Sequence, residues 1–301
     1  MNADRLDVVI PTFNNRDELK ACLESLIDQG HSLRAIVCVD GSTDGTLEWL
    51  ASATFPFEIL VLEHPDRANH GLAAGRNLAL GHLEATYALF LDSDMVLGPH
   101  AIDRHLELVT SRRCISVGRT TYLNAATNLW SRYVGSRGKH KATGTGPISP
   151  LYFDAENAML PAQVVVDLHG FDEDFTSYGL EDTEFGIRLG EIGIPIIFNA
   201  AAIASTVETR TVEEGLRLLY GLGRDNLLKV RRKHPGAGAP FRANQLESSR
   251  LRDRAFRLLL NPVSDRIARA LLPVTPWPIQ RRLIAYLVLR AVWRGYADAR
   301  R

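Results

Sequence analysis

Residues 87–94 read YALFLDSD, an apolar run that ends directly in an acid, a serine and a second acid. A run this short and continuously apolar predicts a strand that is buried on both faces of a sheet. Upstream, further apolar runs alternate with segments of helical spacing. The runs are 7–10, 35–39 and 58–62, and the helical segments are 17–29, 44–50 and 71–83. Strands that alternate with helices predict an α/β fold with a mostly parallel central sheet flanked by helices.

Polar residues follow the predicted strands at the edge where open parallel sheets bind ligands, beyond the carboxyl ends of the strands. They are Thr12, Asp40, Asp92 and Asp94. Asp92 and Asp94 leave the same strand one residue apart, so their carboxylates can share one crevice. Mg²⁺ and Mn²⁺ prefer oxygen ligands and often take one or two carboxylates together with substrate phosphates. Asp92-Ser93-Asp94 is therefore a candidate metal site, although a hydrated turn has the same composition.

Asp40 and Arg76 are candidates for contacts with a nucleotide. Asp40 lies in VDGSTDGT, where its carboxylate either accepts hydrogen bonds from a base or closes a tight turn. Arg76 follows Gly71 in NHGLAAGRN, which opens a predicted helix whose positive end favours anions. Arg76 therefore either meets a phosphate or base or is a solvated surface residue.

Glu181 and Asp182 precede a helix that is predicted at 183–190, in GLEDTEFGIRL. A carboxylate within hydrogen-bond reach of an acceptor hydroxyl can take its proton as a general base. Burial against Phe185 and Tyr178 would raise the pKa of Asp182 and suit it to that role. The alternative is that both acids only stabilise the helix N-terminus.

The net charge of zero conceals two oppositely charged regions. Residues 1–208 hold 15 Lys and Arg against 28 Asp and Glu (net −13), whereas 209–301 hold 20 against 7 (net +13). We therefore expect a catalytic domain at 1–208, divided at about 1–115 and 116–208, and a basic, mainly helical region at 209–301. Breaks in that region are expected at 234–240, Pro273, Pro276 and Pro278. Because phosphate contacts need local cations, the acidic body argues against nucleic acid as a partner.

Cysteine usage and hydropathy indicate the compartment. Cys22, Cys38 and Cys114 are too few and too scattered for a disulfide framework or a tetrahedral zinc site, and they favour a reducing environment. The first residues lack the long apolar core of a signal peptide. Uncharged apolar runs stay below the ~18 residues of a membrane span. We therefore expect a cytoplasmic protein.

Five sequence motifs, taken in their order along the chain, resemble those of a known protein family. They are VVIPTFNNRDEL, VDGSTDGT, NHGLAAGRN, LDSD and GFDEDF followed by GLEDTEFGIRL. Together, over about residues 6–208, they resemble family-2 glycosyltransferases of the GT-A fold, and the last stretch also resembles the carboxyl part of galactosyltransferase-type enzymes. The resemblance implies a Rossmann-like nucleotide-binding half. It also implies inverting transfer of a hexosyl or N-acetylhexosaminyl group from a nucleoside-diphosphate sugar, with UDP the favoured nucleotide.

The resemblance also implies roles for individual residues. The donor site would comprise Pro11, Thr12, Asp40, Gly71, Arg76, Asp92, Ser93 and Asn157. Asp94 with Asp92 would ligate Mn²⁺ or Mg²⁺, Asp182 would be the general base, and Glu181 would position the acceptor. Many members carry a histidine ligand after a late strand, but residues 199–210 contain none, so Glu208 or a water would take its place.

Alternatives to a sugar transferase are a nucleotidyltransferase and a catalytically degenerate sugar-nucleotide-binding or scaffold protein. A dinucleotide oxidoreductase is not expected, because no G-x-G-x-x-G follows the first strand. The acceptor could be a glycan, a lipid-linked molecule, a peptide or a small molecule.

The segment 262–296 places Leu283 and Leu287 on helical spacing, with Trp277 and Trp293 among arginines. This pattern fits a helix at the inner face of the membrane. A helix packed on the protein and a homodimer contact are the alternatives.

Overall fold

The computed structural model describes residues 5–235, 240–242 and 244–301, without the side chains at 240, 246, 247 and 255. The chain forms two compact units. The first comprises the residues up to Asn124, Gly135–Thr176 and Glu181–Glu208. The second comprises Ala125–Val134, Ser177–Leu180 and Thr209–Arg301.

The first unit is built on a sheet. Its strands are β1 (Leu6–Thr12), β2 (Leu33–Val39), β3 (Glu58–Glu63), β4 (Tyr87–Leu91), β5 (Val96–Leu97), β6 (Ile115–Tyr122), β7 (Gly146–Pro147), β8 (Asn157–Pro161) and β9 (Ile196–Thr206). In the described chain the strand order is β3-β2-β1-β4-β8-β6-β9-β5, and β7 pairs with β9. The strands β1 to β4 are mutually parallel, as the apolar runs predict.

The helices follow the strands in the order of an α/β chain. They are α1 (Arg16–Glu24), α2 (Thr46–Ser52), α3 (Leu72–Asn77), α4 (Ala101–Arg112), α5 (Leu129–Val134), α6 (Ala162–Asp167), α7 (Glu181–Glu191), α8 (Val212–Asp225), α9 (Leu227–Lys233), α10 (Asn244–Glu247), α11 (Leu251–Leu259), α12 (Pro262–Leu271) and α13 (Trp277–Asp298). Short 3₁₀ turns lie at Ile27–Gln29, Leu80–His82, Gly138–Lys141, Pro150–Tyr152, Pro240–Arg242 and Leu272–Val274.

The strand β1 shows why its sequence is continuously apolar. Val8 and Ile10 pack with Leu19 of α1 on one face of the sheet, whereas Val9 packs with Phe90 on the other face. All these side chains are buried. Because helices cover both faces, alternation between apolar and polar residues is absent in this strand.

The sheet brings four chain segments to one edge. Since β1, β2 and β4 are parallel, the residues that follow them leave at the same side. The strand β8 is antiparallel to β4, and Leu91 pairs with Asn157, so β8 begins where β4 ends. The main-chain N–H of Asp92 donates to the carbonyl of Glu156 at 3.0 Å.

The second half of the sheet is mixed. The strand β8 runs antiparallel to both β4 and β6, and β6 is parallel to β9. The strand that is predicted at 195–198 continues in β9 to Thr206, through residues too small and polar to form an apolar run.

The second unit is helical in its described part. Glycines allow α8 and α13 to pack closely, because a Cβ at Gly223 or Gly295 would lie 2.1 Å from a main-chain oxygen of the facing helix. The capping box of Thr211 and Glu214 begins α8. The prolines that are predicted to break the helices lie between α12 and α13 and in the first turn of α13. In the predicted break at 234–240, residues 236–239 lie outside the described residues.

The expectation of an interfacial face on α13 is wrong for two of its residues. Leu287 and Trp293 are buried, and the Trp293 Nε1–H donates to the carbonyl of Phe241 at 3.0 Å. These side chains pack within the second unit. Over the described ranges, no helix has both the length and the apolar character needed to cross a membrane.

Candidate active site

Arg76 joins the edge of the sheet to the first turn of α7. Its guanidinium is wholly buried and donates twice at 2.8 Å, from Nη1 to Asp182 Oδ1 and from Nη2 to Asp92 Oδ1. Glu181 Oε1 lies 3.9 Å from Nη1. Burial disfavours the positive charge, but the three acids outweigh it and raise the pKa of Arg76. Arg76 is therefore charged, and it holds Asp92 and Asp182 together.

The partners of Arg76 in the structure are carboxylates, and its burial excludes the solvated surface alternative, while a contact with a phosphate or base remains a prediction. Both terminal nitrogens donate to carboxylates, and the guanidinium lies 5.0 Å from the centre of the Phe171 ring. Arg76 also lies in the last turn of α3, where the positive helix end cannot assist anion binding. These contacts make Arg76 a residue that orients two acids.

Asp182 is the carboxylate best placed to accept a proton. Burial raises the pKa of Asp182 well above its usual range; Arg76 opposes this effect, and the nearby acids add to it. Its Oδ1 accepts from Arg76, and among the described residues no donor contacts Oδ2. Burial likewise raises the pKa of the adjacent Glu181. Raised pKa values make both carboxylates stronger bases than exposed acids.

Phe185 and Tyr178, which are expected to desolvate Asp182, have different surroundings. Phe185 is fully buried in the first unit and packs on Phe171, with ring centres 4.5 Å apart. Tyr178 belongs to the second unit, where it is half exposed and lies under the guanidinium of Arg210.

Asp94 lies on the turn after β4, two residues beyond Asp92. Its Oδ2 accepts a hydrogen bond from Thr206 Oγ1 at 3.2 Å, at the end of β9. Glu208, the expected substitute for histidine, follows two residues later and is half-buried. Within the part of the chain that is described, no three His, Cys, Asp or Glu side chains are grouped to hold a metal. The donors therefore fit a hard cation that completes its shell with diphosphate oxygens, and they do not fit a protein-only cage.

Asp40 organises the loop before α3. Its carboxylate accepts from the main-chain N–H of His70 at 2.7 Å and of Gly71 at 2.9 Å, and from Asn69 Nδ2 at 3.0 Å. Gly71 has φ +92°, and a Cβ there would lie 3.0 Å from the carbonyl of Thr176, so glycine is required at this position. The turn interpretation of Asp40 is therefore realised. A contact between Asp40 and a base remains a prediction.

Three smaller members of the predicted donor site lie at the same edge. Thr12 ends β1 and is buried, and its Oγ1 has no hydrogen-bond partner in the described chain. Pro11 is buried in β1, next to Gly75 of α3. Ser93 is buried, and its Oγ lies 3.4 Å from Asn15 Nδ2. An unpaired buried hydroxyl such as that of Thr12 is rare in proteins and often faces a ligand or water.

Asn157 corrects one prediction. It is wholly buried in β8, where its Oδ1 accepts from His105 Nε2 at 2.9 Å and its Nδ2 donates to the carbonyl of Ala202 at 3.2 Å. Ser116 Oγ donates to His105 Nδ1 at 2.8 Å, and burial lowers the pKa of His105 to about 4. Asn157 is therefore part of a neutral hydrogen-bonded network that joins β8 to α4, and it does not face a donor sugar.

A buried cluster that the sequence does not reveal lies beside Asp92. The Lys139 Nζ lies 2.8 Å from Glu156 Oε1 and 3.2 Å from Asp154 Oδ2, and Thr120 also donates to Glu156. Burial and the charge of Asp154 raise the pKa of Glu156 to about 7, although Lys139 opposes them. Lys139 comes from the 3₁₀ turn Gly138–Lys141, between β6 and β7, where the sequence carries no motif, so only its long-range contacts identify it.

The family model for glycosyl transferase family 2 matches residues 7–168. The glycosyltransferase YfnE of Bacillus subtilis is 24% identical over 242 residues, which cover 63% of this chain and 61% of YfnE. The chain covers still smaller shares of the next two curated relatives. It therefore spans less than two thirds of the length of these relatives.

Solved structures are similar over almost the whole chain. The mannosyltransferase PcManGT of Pyrobaculum calidifontis, in complex with GDP-Man and Mn²⁺, has a TM-score of 0.66 at 18% identity, over 99% of this chain and 89% of that one. Residues 1–349 of TarS of S. aureus, in complex with UDP-GlcNAc, have a TM-score of 0.58 at 15% identity, over 98% and 92%. These likenesses confirm the predicted α/β fold of the GT-A type.

Proposed function

The chain belongs to glycosyltransferase family 2, and on that premise we propose that it transfers a sugar from a UDP-linked donor to an acceptor hydroxyl with inversion. The sugar is a hexose or an N-acetylhexosamine. The observation that supports this proposal is the pair of hydrogen bonds from Arg76 to Asp92 and Asp182, each 2.8 Å long. Through them a basic carboxylate lies at the edge where this fold binds nucleotides.

The nucleotide binds at the ends of β1 and β2. The buried hydroxyl of Thr12, which has no hydrogen-bond partner among the described residues, supplies one for the base or ribose. Asp40 accepts hydrogen bonds from residues 69–71 and so shapes this part of the site around the nucleotide.

The metal position uses Asp94, with Asp92 beside it. A bound Mn²⁺ or Mg²⁺ supplies charge neutralisation for the diphosphate leaving group. Asp92 shares one oxygen with Arg76, and Asp94 accepts a hydrogen bond from Thr206 through Oδ2. The Asp92 side chain is 25% exposed, so it is accessible to the donor.

Asp182 acts as the general base. Its Oδ2 takes the proton of the acceptor hydroxyl as the oxygen attacks the anomeric carbon. The new carbon–oxygen bond forms as the bond to the diphosphate breaks, so one displacement inverts the configuration. Arg76 keeps Oδ1 engaged and aims Oδ2, which makes Arg76 a positioning residue.

Glu181 and the cluster around Lys139 contribute to acceptor binding beside the general base Asp182. Glu181 is buried next to Asp182, and its Oε2 has no hydrogen-bond partner in the described residues. That oxygen suits a second hydroxyl of a glycan, lipid-linked, peptide or small-molecule acceptor. Asp154, held by Lys139, presents a partly exposed carboxylate to sugar hydroxyls.

Calorimetry with UDP and GDP, each with and without Mn²⁺, tests the donor, and release of nucleotide from the matching sugar donors tests turnover. We expect UDP to bind in a Mn²⁺-dependent way and UDP-sugar turnover to follow. Binding without turnover would support a scaffold instead. If no nucleoside diphosphate binds under either condition, the proposal is wrong.

A further inference from the structure

The helix α12 exposes three large apolar residues and turns an aspartate inward. Val263, Ile267 and Leu271 are 64%, 54% and 43% exposed and follow one another at intervals of four, which places them on one helix face. Asp265, on the opposite face, accepts from Arg290 of α13 at 2.9 Å and from Arg269 at 2.8 Å. A surface helix normally has the reverse arrangement.

The neighbouring segments also expose large apolar side chains. In α11, Leu251, Leu258 and Leu259 are 81%, 76% and 60% exposed, and Val274 after α12 is 76% exposed. The acid of α11, Asp253, is buried and accepts from Ser248 at 2.6 Å. We refer to the exposed large apolar residues of 251–274 as the apolar stripe. Its members are Leu251, Leu258, Leu259, Val263, Ile267, Leu271 and Val274.

The charge around the apolar stripe is strongly positive. Residues 250–282 contain eight arginines and two aspartates, without Lys or Glu. The two aspartates are largely buried in contacts with protein partners. The arginines that are exposed at the surface are Arg250, Arg252, Arg254, Arg266 and Arg282. The segment therefore presents apolar side chains and positive charge to the same surroundings.

We propose that the apolar stripe and its arginines bind the surface of an anionic membrane. Exposed leucines and isoleucines enter the boundary between headgroups and acyl chains, and arginines pair with anionic headgroups. A second copy of this chain is a poorer partner, since a two-fold contact would bring the same arginines together. The proposal is independent of the transfer reaction.

Cosedimentation of the full chain with vesicles tests the proposal. One set of vesicles is phosphatidylcholine alone, and the other is equal parts of phosphatidylcholine and phosphatidylglycerol. We expect binding to the anionic vesicles that weakens with salt, and much less binding to the neutral ones. Ile267→Glu should weaken binding by about tenfold or more. Arg266→Gln should weaken it by about fivefold.

The matched control is Ile27→Glu, which changes the same residue type at similar exposure, 46% against 54%, in the first unit. It should bind as the wild type does. Light scattering of the wild type and of Ile267→Glu measures self-association in the same samples. Equal vesicle binding by wild type and Ile267→Glu would overturn the proposal. The proposal would also be overturned if the wild type did not bind anionic vesicles and formed a dimer that Ile267→Glu converted to a monomer. A second copy of the chain would then cover the apolar stripe.

Discussion

Replacement of Arg76 by methionine should destabilise the protein and change the titration of Asp182. The side chain of Arg76 is fully buried, and the carboxylates that it contacts at 2.8 Å are only 25% and 21% exposed. Removing one partner of such a buried ion pair costs about 3–5 kcal/mol, because the other charges stay buried without compensation. For a domain of roughly 150–250 residues, this loss lowers the melting temperature by about 6–20 °C.

The stability that is lost in Arg76→Met should depend on pH in a defined direction. Arg76 lowers the pKa of Asp182 against the effect of burial, so Arg76→Met raises this pKa further above its unfolded value. A carboxyl group with a raised folded pKa contributes its stability at low pH and loses it as pH rises through that pKa. The difference in stability between wild type and variant therefore narrows as pH falls. The acid limb of the kcat/KM profile moves to higher pH in the variant, because the base must be ionised.

Thermal unfolding and pH–rate profiles of three variants measure these effects. Arg34→Met is the matched control, since Arg34 is also buried and pairs with Asp7 at 3.0 Å. It should lose similar stability without moving the acid limb. Arg76→Met combined with Asp92→Asn should recover part of the loss, because one uncompensated charge is gone. If Arg76→Met melts within about 2 °C of the wild type at neutral pH, the ion-pair argument is refuted.

Three further predictions concern residues around this site. Asp94→Asn should raise the Mn²⁺ concentration for half-maximal transfer by about tenfold or more, and an unchanged midpoint would exclude Asp94 as a ligand. Lys139→Met should cost about 3–5 kcal/mol in denaturant unfolding at pH 8. The cost should shrink at acid pH, where Glu156 is protonated, and a pH-independent cost would contradict the buried pairing. Burial lowers the pKa of His105 to about 4, so His105 alone should remove about 3 kcal/mol of stability between pH 7 and pH 4. His105→Gln should flatten that pH dependence of unfolding, and an equal slope in both proteins would argue against a neutral His105.

The first half of the fold could be predicted because each strand carries its own signal. The run YALFL coincides with β4, and the apolar runs before it fall within β1, β2 and β3. Burial on both faces favours apolar residues along most of β1, β2 and β4, which makes these strands visible in sequence, whereas β3 has an apolar run although its side chains are exposed or half-buried. The second half carries less signal, since β8 begins with an asparagine and ends with a proline, and β9 contains small residues and a register shift opposite Gly118.

The acids of the site could be predicted, but their partners could not. Asp92 and Asp182 are 90 positions apart in the chain, and only the packed fold brings both to Arg76. The resemblance implies that Asn157 contacts the donor, but its side chain points to His105 inside the core. Lys139 lies in a loop without periodicity, so its contacts with Asp154 and Glu156 have no local signal.

Transfer by Asp182→Asn, measured beside donor binding, tests the central claim most directly. Asparagine keeps an oxygen for Arg76, so the site should stay assembled while the proton acceptor is lost. We predict a fall of about 10²–10⁴ in kcat/KM with donor affinity essentially unchanged. The control Asp167→Asn, an exposed acid in α6, should behave as the wild type. Transfer by Asp182→Asn at the wild-type rate would contradict the assignment of Asp182 as the general base.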